Sequence, residues 1–220
     1  MVKSLTAGLL RRSLWIATAS VLSSGPVAIA SETVSPVQTL PVRSLEETRH
    51  HNVVLQQWEL SCAAAALATI LRYQYGVPVT ERSVALGLIT RSEYISNPDL
   101  VRIRHGFSLL DLKRYVDGMG YEGVGLGQLE FSDLLAQAPM IVPVILQGYP
   151  HFVVFRGATS REVLLADPAF GNVTMSVEKF MDGWIQYRDL QRVGFLVKQD
   201  GKQTPPGHLS PQEMDFVLLR

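Results

Sequence analysis

The sequence predicts an α+β domain in which a buried helix in the N-terminal half packs on an antiparallel β-sheet. Three observations carry this reading. Ala63 to Leu71 is a run of alanine, leucine and isoleucine with almost no polar position, the composition of a helix buried on most sides. The β-type runs concentrate after Met140, where Met140 to Leu146, His151 to Arg156 and Glu162 to Asp167 follow one another across short turns. The last two runs are separated by Gly157-Ala158-Thr159-Ser160-Arg161, a length usual for an antiparallel hairpin. At 220 residues and 47% hydrophobic, the chain is long enough for one domain with a real core and tails.

The chain opens on a basic start at Lys3, Arg11 and Arg12, followed by the mostly apolar stretch Leu14 to Ala30. Ala28-Ile29-Ala30 fits a small-x-small cleavage pattern, so residues 1–30 read as a signal peptide cut after Ala30. Ser20, Ser23, Ser24, Gly25 and Pro26 interrupt the apolar run and argue against a permanent membrane anchor. The whole chain has 20 basic and 20 acidic residues; removing the three basic ones of the leader leaves 17 against 20, a net of −3. Such a balance gives no reason to expect nucleic acid as a partner. No further membrane span is expected in the mature chain.

Residues 31–49, with Pro36 and Pro41, read as a flexible lead-in, and residues 50–200 as the folded domain. His50 and His51, being adjacent, point apart on a strand and read as surface or strand-start residues. Val53-Val54-Leu55 reads as a short strand leading to Gln56. The buried helix begins at Cys62, with Ser61 as its N-cap and Gly76 just past its end. Thr80 caps a second helix from Glu81 to about Leu88. Arg91 to Arg104 is mixed and polar, with a turn at Asn97-Pro98-Asp99, and His105 reads as a solvent contact or local cap. Ser108 caps a helix with Leu109, Leu112, Tyr115, Val116 and Met119 at helical spacing, stopped by Gly120. Tyr121 to Leu126 is a strand and Phe131 to Leu135 a short helix. Val173 to Ser176 is an edge strand, Val177 to Tyr187 a helix capped by Ser176, and Val193 to Lys198 a last strand. Residues 201–220 form a tail whose apolar end, Phe216 to Leu219, docks either on the domain or on a partner.

Cys62 is the only cysteine. An exported domain with one thiol has no internal disulfide to make, which leaves a reactive thiol, an intermolecular bridge or a buried bystander. Its place at a helix start favours the thiolate, through the dipole and the unpaired N–H groups. The hairpin supplies the second part of the chemistry. Pairing Arg156 with Glu162 sets Val154 opposite Leu164, Phe152 opposite Ala166 and His151 opposite Asp167. His151, Val153 and Phe155 then share a face with Asp167, Leu165 and Val163. Thiol, imidazole and carboxylate are the parts of a nucleophilic triad, and Asp167 before Pro168 is held extended. Gln56 or Gln57 supplies an amide to donate to a developing oxyanion beside the Cys62 N–H. Nothing in this chemistry needs a metal or an organic cofactor, and no zinc-type ligand spacing is present.

Gln56, five residues, then Cys62-Ala63-Ala64-Ala65 resembles the Gln-x5-Cys-Gly-Ala-Ala segment of the bacteriocin-processing cysteine peptidases, papain-like domains that cut after double-glycine leaders. Gly106-Phe107-Ser108 resembles their Gly-x-Ser helix start, and His151-Phe152-Val153-Val154 the segment with their catalytic histidine. Asp167-Pro168-Ala169-x-Gly171, followed by Phe180 and Trp184, resembles the segment with their aspartate. The match runs in order from about Val53 to Val197. It implies a papain-like fold with Cys62 as nucleophile, His151 as base and acid, Asp167 as orienter and Gln56 as oxyanion donor. Ala63 stands where the family has glycine, Ser61 where aspartate is common, and no transporter follows. The last departure bears on the leader-peptide substrate, which belongs with a fused export channel. An exported, stand-alone version is most similar to the peptidase-like component of functional-amyloid export systems. That implies a periplasmic setting, with amyloid subunits or the outer-membrane exporter as partners. Two rival readings are a non-cleaving module that grips polypeptide during export, and a transpeptidase or amidase on the same scaffold.

Overall fold

Propensity and burial agree along Cys62–Tyr73. The stretch is a 12-residue helix whose first ten side chains are all buried, and its alanines let neighbouring elements approach closely. The structure, a computed structural model, describes residues 43–146, 148–199, 207 and 209–219. The expected signal peptide and most of the expected lead-in lie outside the described residues.

The helices are α1 (Leu45–His50), α2 (Cys62–Tyr73), α3 (Glu81–Ile89), α4 (Ser92–Ser96), α5 (Leu100–Ile103), α6 (Leu109–Gly118), α7 (Phe131–Gln137), α8 (Val177–Gly183) and α9 (Glu213–Leu218). The strands are β1 (Tyr121–Leu126), β2 (Met140–Leu146), β3 (Tyr149–Ala158), β4 (Glu162–Asp167), β5 (Gly171–Ser176), β6 (Gln186–Tyr187), β7 (Gln191–Arg192) and β8 (Gly194–Gln199). Reciprocal side-chain caps start three helices: Ser44 with Glu47, Thr80 with Ser83, and Ser108 with Asp111.

Six strands form one antiparallel sheet in the order β1-β8-β2-β3-β4-β5, with β6 and β7 as a separate pair. The late strand β8 slots between β1 and β2. Period-two alternation gives the sheet two apolar faces. Ile141, Val154, Ala166, Phe195 and Val197 pack with α2, α3 and α6. Met140, Val142, Val144, Val153, Phe155 and Leu165 pack with Leu134 of α7 and Phe180 of α8.

Several elements depart from the sequence reading. Val53-Val54-Leu55 joins no strand: the Val54 N–H donates to the Thr69 hydroxyl (2.9 Å) and the Gln56 N–H to the Pro168 carbonyl (2.7 Å). Helix α1 starts inside the stretch read as lead-in and ends on His50, so the two histidines are at a helix end. The polar stretch after Arg91 holds two short helices, α4 and α5. Helix α8 stops at Gly183, because Trp184 leaves it to bridge Val144. The C-terminal segment docks on the domain: Phe216 and Leu219 pack on Leu164, and the Thr174 hydroxyl donates to the Leu219 carbonyl (3.1 Å).

The hairpin register also differs. Val154 pairs with Ala166 and Phe155 with Leu165, but Gly157 pairs with Leu164, so Arg156 is the extra residue of a bulge. Its buried guanidinium donates to the Leu209 carbonyl and to Asn172 Oδ1, both at 2.7 Å. Near His151 the register is therefore offset by two residues from the expected one. An even offset keeps every side chain on its expected face, and His151 and Asp167 become diagonal instead of direct neighbours.

Candidate active site

Cys62 opens α2, and three tethers fix the loop that delivers it. Val54 is bonded to Thr69 of α2, Gln56 to the Pro168 carbonyl, and the carboxylate of Glu81, the first residue of α3, accepts from the N–H groups of Gln57 (2.8 Å) and Trp58 (3.4 Å). Ser61 sits at the N-cap position, but its hydroxyl makes no cap bond; its one proton is shared between two acceptors in reach, the Trp58 carbonyl (2.7 Å) and Glu81. Gly106 closes on this loop from the other side. Its φ of 119° is one that L side chains rarely adopt, and a Cβ there would lie 3.0 Å from the Leu60 carbonyl oxygen. This accounts physically for the glycine ahead of the Ser108 cap.

Next to Gly106, a buried carboxylate anchors the same wall. Asp111 accepts from Arg91 (2.5 Å), from the Tyr94 hydroxyl (2.5 Å), and from the Ser108 N–H and hydroxyl (2.9 and 2.8 Å). Burial works to raise its pKa, but the donors Tyr94 and Ser108 and the Arg91 charge outweigh it and hold the carboxyl below its ordinary value.

A cleft of about 710 Å³ runs along this wall, lined by Cys62, His151 and Phe152 together with Arg104, His105, Phe107 and Ser108. The rest of its lining is largely apolar and includes Gly125, Leu126, Pro143, Ile185 and Leu190. Such a groove suits an extended, largely apolar stretch of polypeptide. His105, exposed and with a φ of 54°, is a wall residue of the cleft in addition to being a solvent contact.

Cys62 and His151 both line this cleft, and Asp167 is buried beside His151. His151 Nε2 lies 3.2 Å from Asp167 Oδ2, off the line of a good hydrogen bond. The other carboxylate oxygen accepts from the Ala169 N–H at 2.8 Å, a turn that locks the buried Asp167 side chain. With Nε2 turned toward the carboxylate, Nδ1 is the nitrogen left for the cleft. The backbone N–H of Phe152, the residue after His151, favours the Cys62 thiolate.

The electrostatics of the thiol run against the helix-dipole expectation. Burial, the largest influence, pushes the Cys62 thiol above its ordinary value; the N–H groups of Phe152 and Ala63 pull it down, and the Asp167 charge pushes it up again. The helix start does help the thiolate, but desolvation wins. Burial therefore works against the thiolate, the form that a neighbouring base would favour.

Gln56 is tied by its backbone to the Asp167-Pro168 turn, yet its side-chain amide donates to the Trp58 carbonyl (3.2 Å) and does not line the cleft. Gln57 is exposed. Glu81 was not singled out by sequence reasoning, because an acidic residue in a first helical turn is ordinary and its partners lie twenty or more residues away.

Residues 50–188 match the model of the peptidase C39 family. The chain belongs to that family. A "Probable functional amyloid protease FapD" of Pseudomonas fluorescens is 38% identical over 161 residues, spanning 73% of this chain and 69% of that protein. A protein of the same description from Pseudomonas aeruginosa is 39% identical over 144 residues, spanning 65% of this chain and 61% of the relative. Among solved structures, "a double glycine motif protease from AMS/PCAT transporter in complex with the leader peptide" superposes with a TM-score of 0.53 at 24% identity, covering 67% of this chain and 90% of that one. That likeness establishes the papain-like α+β fold expected from the sequence, with its buried helix against an antiparallel sheet. No helix among the described residues is long and apolar enough to cross a membrane.

Proposed function

We propose that this chain is a cysteine peptidase that hydrolyses a polypeptide through Cys62, His151 and Asp167. The observation that carries the reading is a thiol and an imidazole lining one cleft, with a buried Asp167 oxygen 3.2 Å from the imidazole Nε2. The raised thiol sets the order of events. Substrate fills the cleft and excludes water, and His151 takes the thiol proton as sulfur attacks the carbonyl carbon. Asp167 supports the imidazolium as it forms. The Cys62 N–H, in the first helical turn and without an intrahelical acceptor, donates to the oxyanion. Gln56 joins it by exchanging the Trp58 carbonyl for the substrate oxygen. His151 protonates the leaving amine, leaving a thioester on Cys62. It then deprotonates water, whose attack releases the acid and restores the thiol.

The leader read at residues 1–30 supports export, with a cut after Ala30, and the resemblance to FapD supports a periplasmic site of action. Amyloid subunits or an outer-membrane exporter are the partners this implies. A second reading, a module that grips polypeptide without cutting it, draws on the elevated Cys62 thiol. One experiment separates them. The protein and its Cys62→Ala variant are incubated with a proteome-derived peptide library, and new termini are read by mass spectrometry. New termini with the parent protein alone support the peptidase; no new termini with either support the binding module.

A further inference from the structure

We propose that Glu81 is a positioning residue for the catalytic sulfur, acting through the loop Gln56 to Ser61. The inference rests on the peptidase reading above and adds a component to it. Glu81 is a buried carboxylate outside the cleft. Its Oε1 accepts from the Gln57 N–H at 2.8 Å, from the Trp58 N–H at 3.4 Å, and from the Ser61 hydroxyl. A buried carboxylate with several donors is a rigid fixture, because leaving any of these groups unpaired away from water is costly. The side chain is itself fixed: Glu81 is the first residue of α3, behind the Thr80–Ser83 capping box.

The loop it grips is the covalent span between two parts of the site. At one end the Gln56 N–H is bonded to the carbonyl of Pro168, next to the orienting carboxylate. At the other end is Cys62. Between them Leu60 abuts Gly106 of the cleft wall. Glu81 thus sets the distance between the sulfur and the His151–Asp167 pair, and the direction of the Gln56 backbone, without touching substrate. All three contacts use one oxygen, so glutamine at this position retains an acceptor for them and alanine does not.

The full chain and its Glu81→Ala and Glu81→Gln variants are compared in two measurements. Amide exchange across residues 56–62 is followed by mass spectrometry, and kcat and KM are measured on the best-cut peptide of the library described above. Glu81→Ala is expected to speed exchange at Gln57 and Trp58 and to lower kcat by about 10- to 100-fold, with KM within about threefold, the scale of a small misplacement of reacting groups. Glu81→Gln restores both to within about fivefold, because the acceptor is kept and only its charge is lost. If Glu81→Ala does not fold, Ser61→Ala takes its place; it removes one contact and is expected to lower kcat by about threefold to tenfold. Wild-type kcat in a folded Glu81→Ala, or equal impairment of Glu81→Gln and Glu81→Ala, overturns the inference. A parent protein that cuts no peptide overturns the peptidase reading itself, whatever the exchange measurement gives.

Discussion

Asp167 is the residue at which two substitutions of similar size give different and calculable outcomes. Its two oxygens have separate partners: one accepts from the Ala169 N–H at 2.8 Å, the other faces His151 Nε2 at 3.2 Å. In Asp167→Ala both are lost. The contact to an imidazolium is a charge-assisted one, worth about 1.5–3 kcal/mol, which converts to roughly 10- to 150-fold in rate. Asp167→Asn is more informative. The Ala169 N–H needs an acceptor, so the amide oxygen takes that position and the amide NH2 is forced toward His151. Nε2 must then accept, the ring proton moves to Nδ1, and the nitrogen facing the cleft can no longer take the thiol proton. The expected result is a protein that melts close to the parent yet cleaves at least as slowly as Asp167→Ala. Thermal melting and kcat/KM on a library-selected peptide measure both. An Asp167→Asn variant retaining more than about a third of parental kcat/KM, less than 1 kcal/mol of lost transition-state stabilisation, refutes this view of the orienter.

Two further predictions concern the scaffold. The lowered pKa of Asp111 means that its contribution is present above the unfolded carboxyl value, near about 3.9, and is lost as pH falls through and below it. The parent should therefore lose thermal stability more steeply than Asp111→Asn on acidification from pH 6 to about pH 3, as read by melting curves. Phe216 packs on Leu164 and Leu219 at the C-terminal dock, so Phe216→Ala should cost about 3 kcal/mol in urea unfolding, the low end for a buried phenylalanine. A loss under about 1 kcal/mol would mean that the segment adds little to the folded domain.

Much of this architecture was legible in local sequence. The Ala63–Leu71 run, the caps Thr80 and Ser108, and the β-type apolar runs of β2 and β3 all declare themselves within a few residues, because propensity and pattern act at that range. What escaped was set by partners far along the chain. Pairing Arg156 with Glu162 was a sound local guess, but Leu209 and Asn172 draw the guanidinium into a bulge and move the register. His151 and Asp167 stayed together only because the offset is even. The insertion of β8 between β1 and β2, and the docking of α9 on β4, likewise depend on tertiary contacts that no local pattern encodes. At Cys62 the dipole argument had the right sign for one influence, but burial, visible only in three dimensions, outweighs it.

The rate of Cys62 alkylation by iodoacetamide at pH 7 tests directly whether imidazole and carboxylate act on the sulfur as one unit. It needs no substrate and is read in the parent, His151→Ala, Asp167→Ala and the double variant. Burial disfavours the thiolate, so both single variants should react at least about tenfold more slowly, the lower limit for general-base assistance and its support. Removing the Asp167 charge by itself would ease ionisation of the sulfur, so a slower Asp167→Ala reports on the imidazole. The double variant should be no slower than His151→Ala alone, since the carboxylate helps only through the ring and its direct effect on the sulfur is to disfavour ionisation. Parental reactivity in His151→Ala, or losses that multiply in the double variant, would contradict a joined triad.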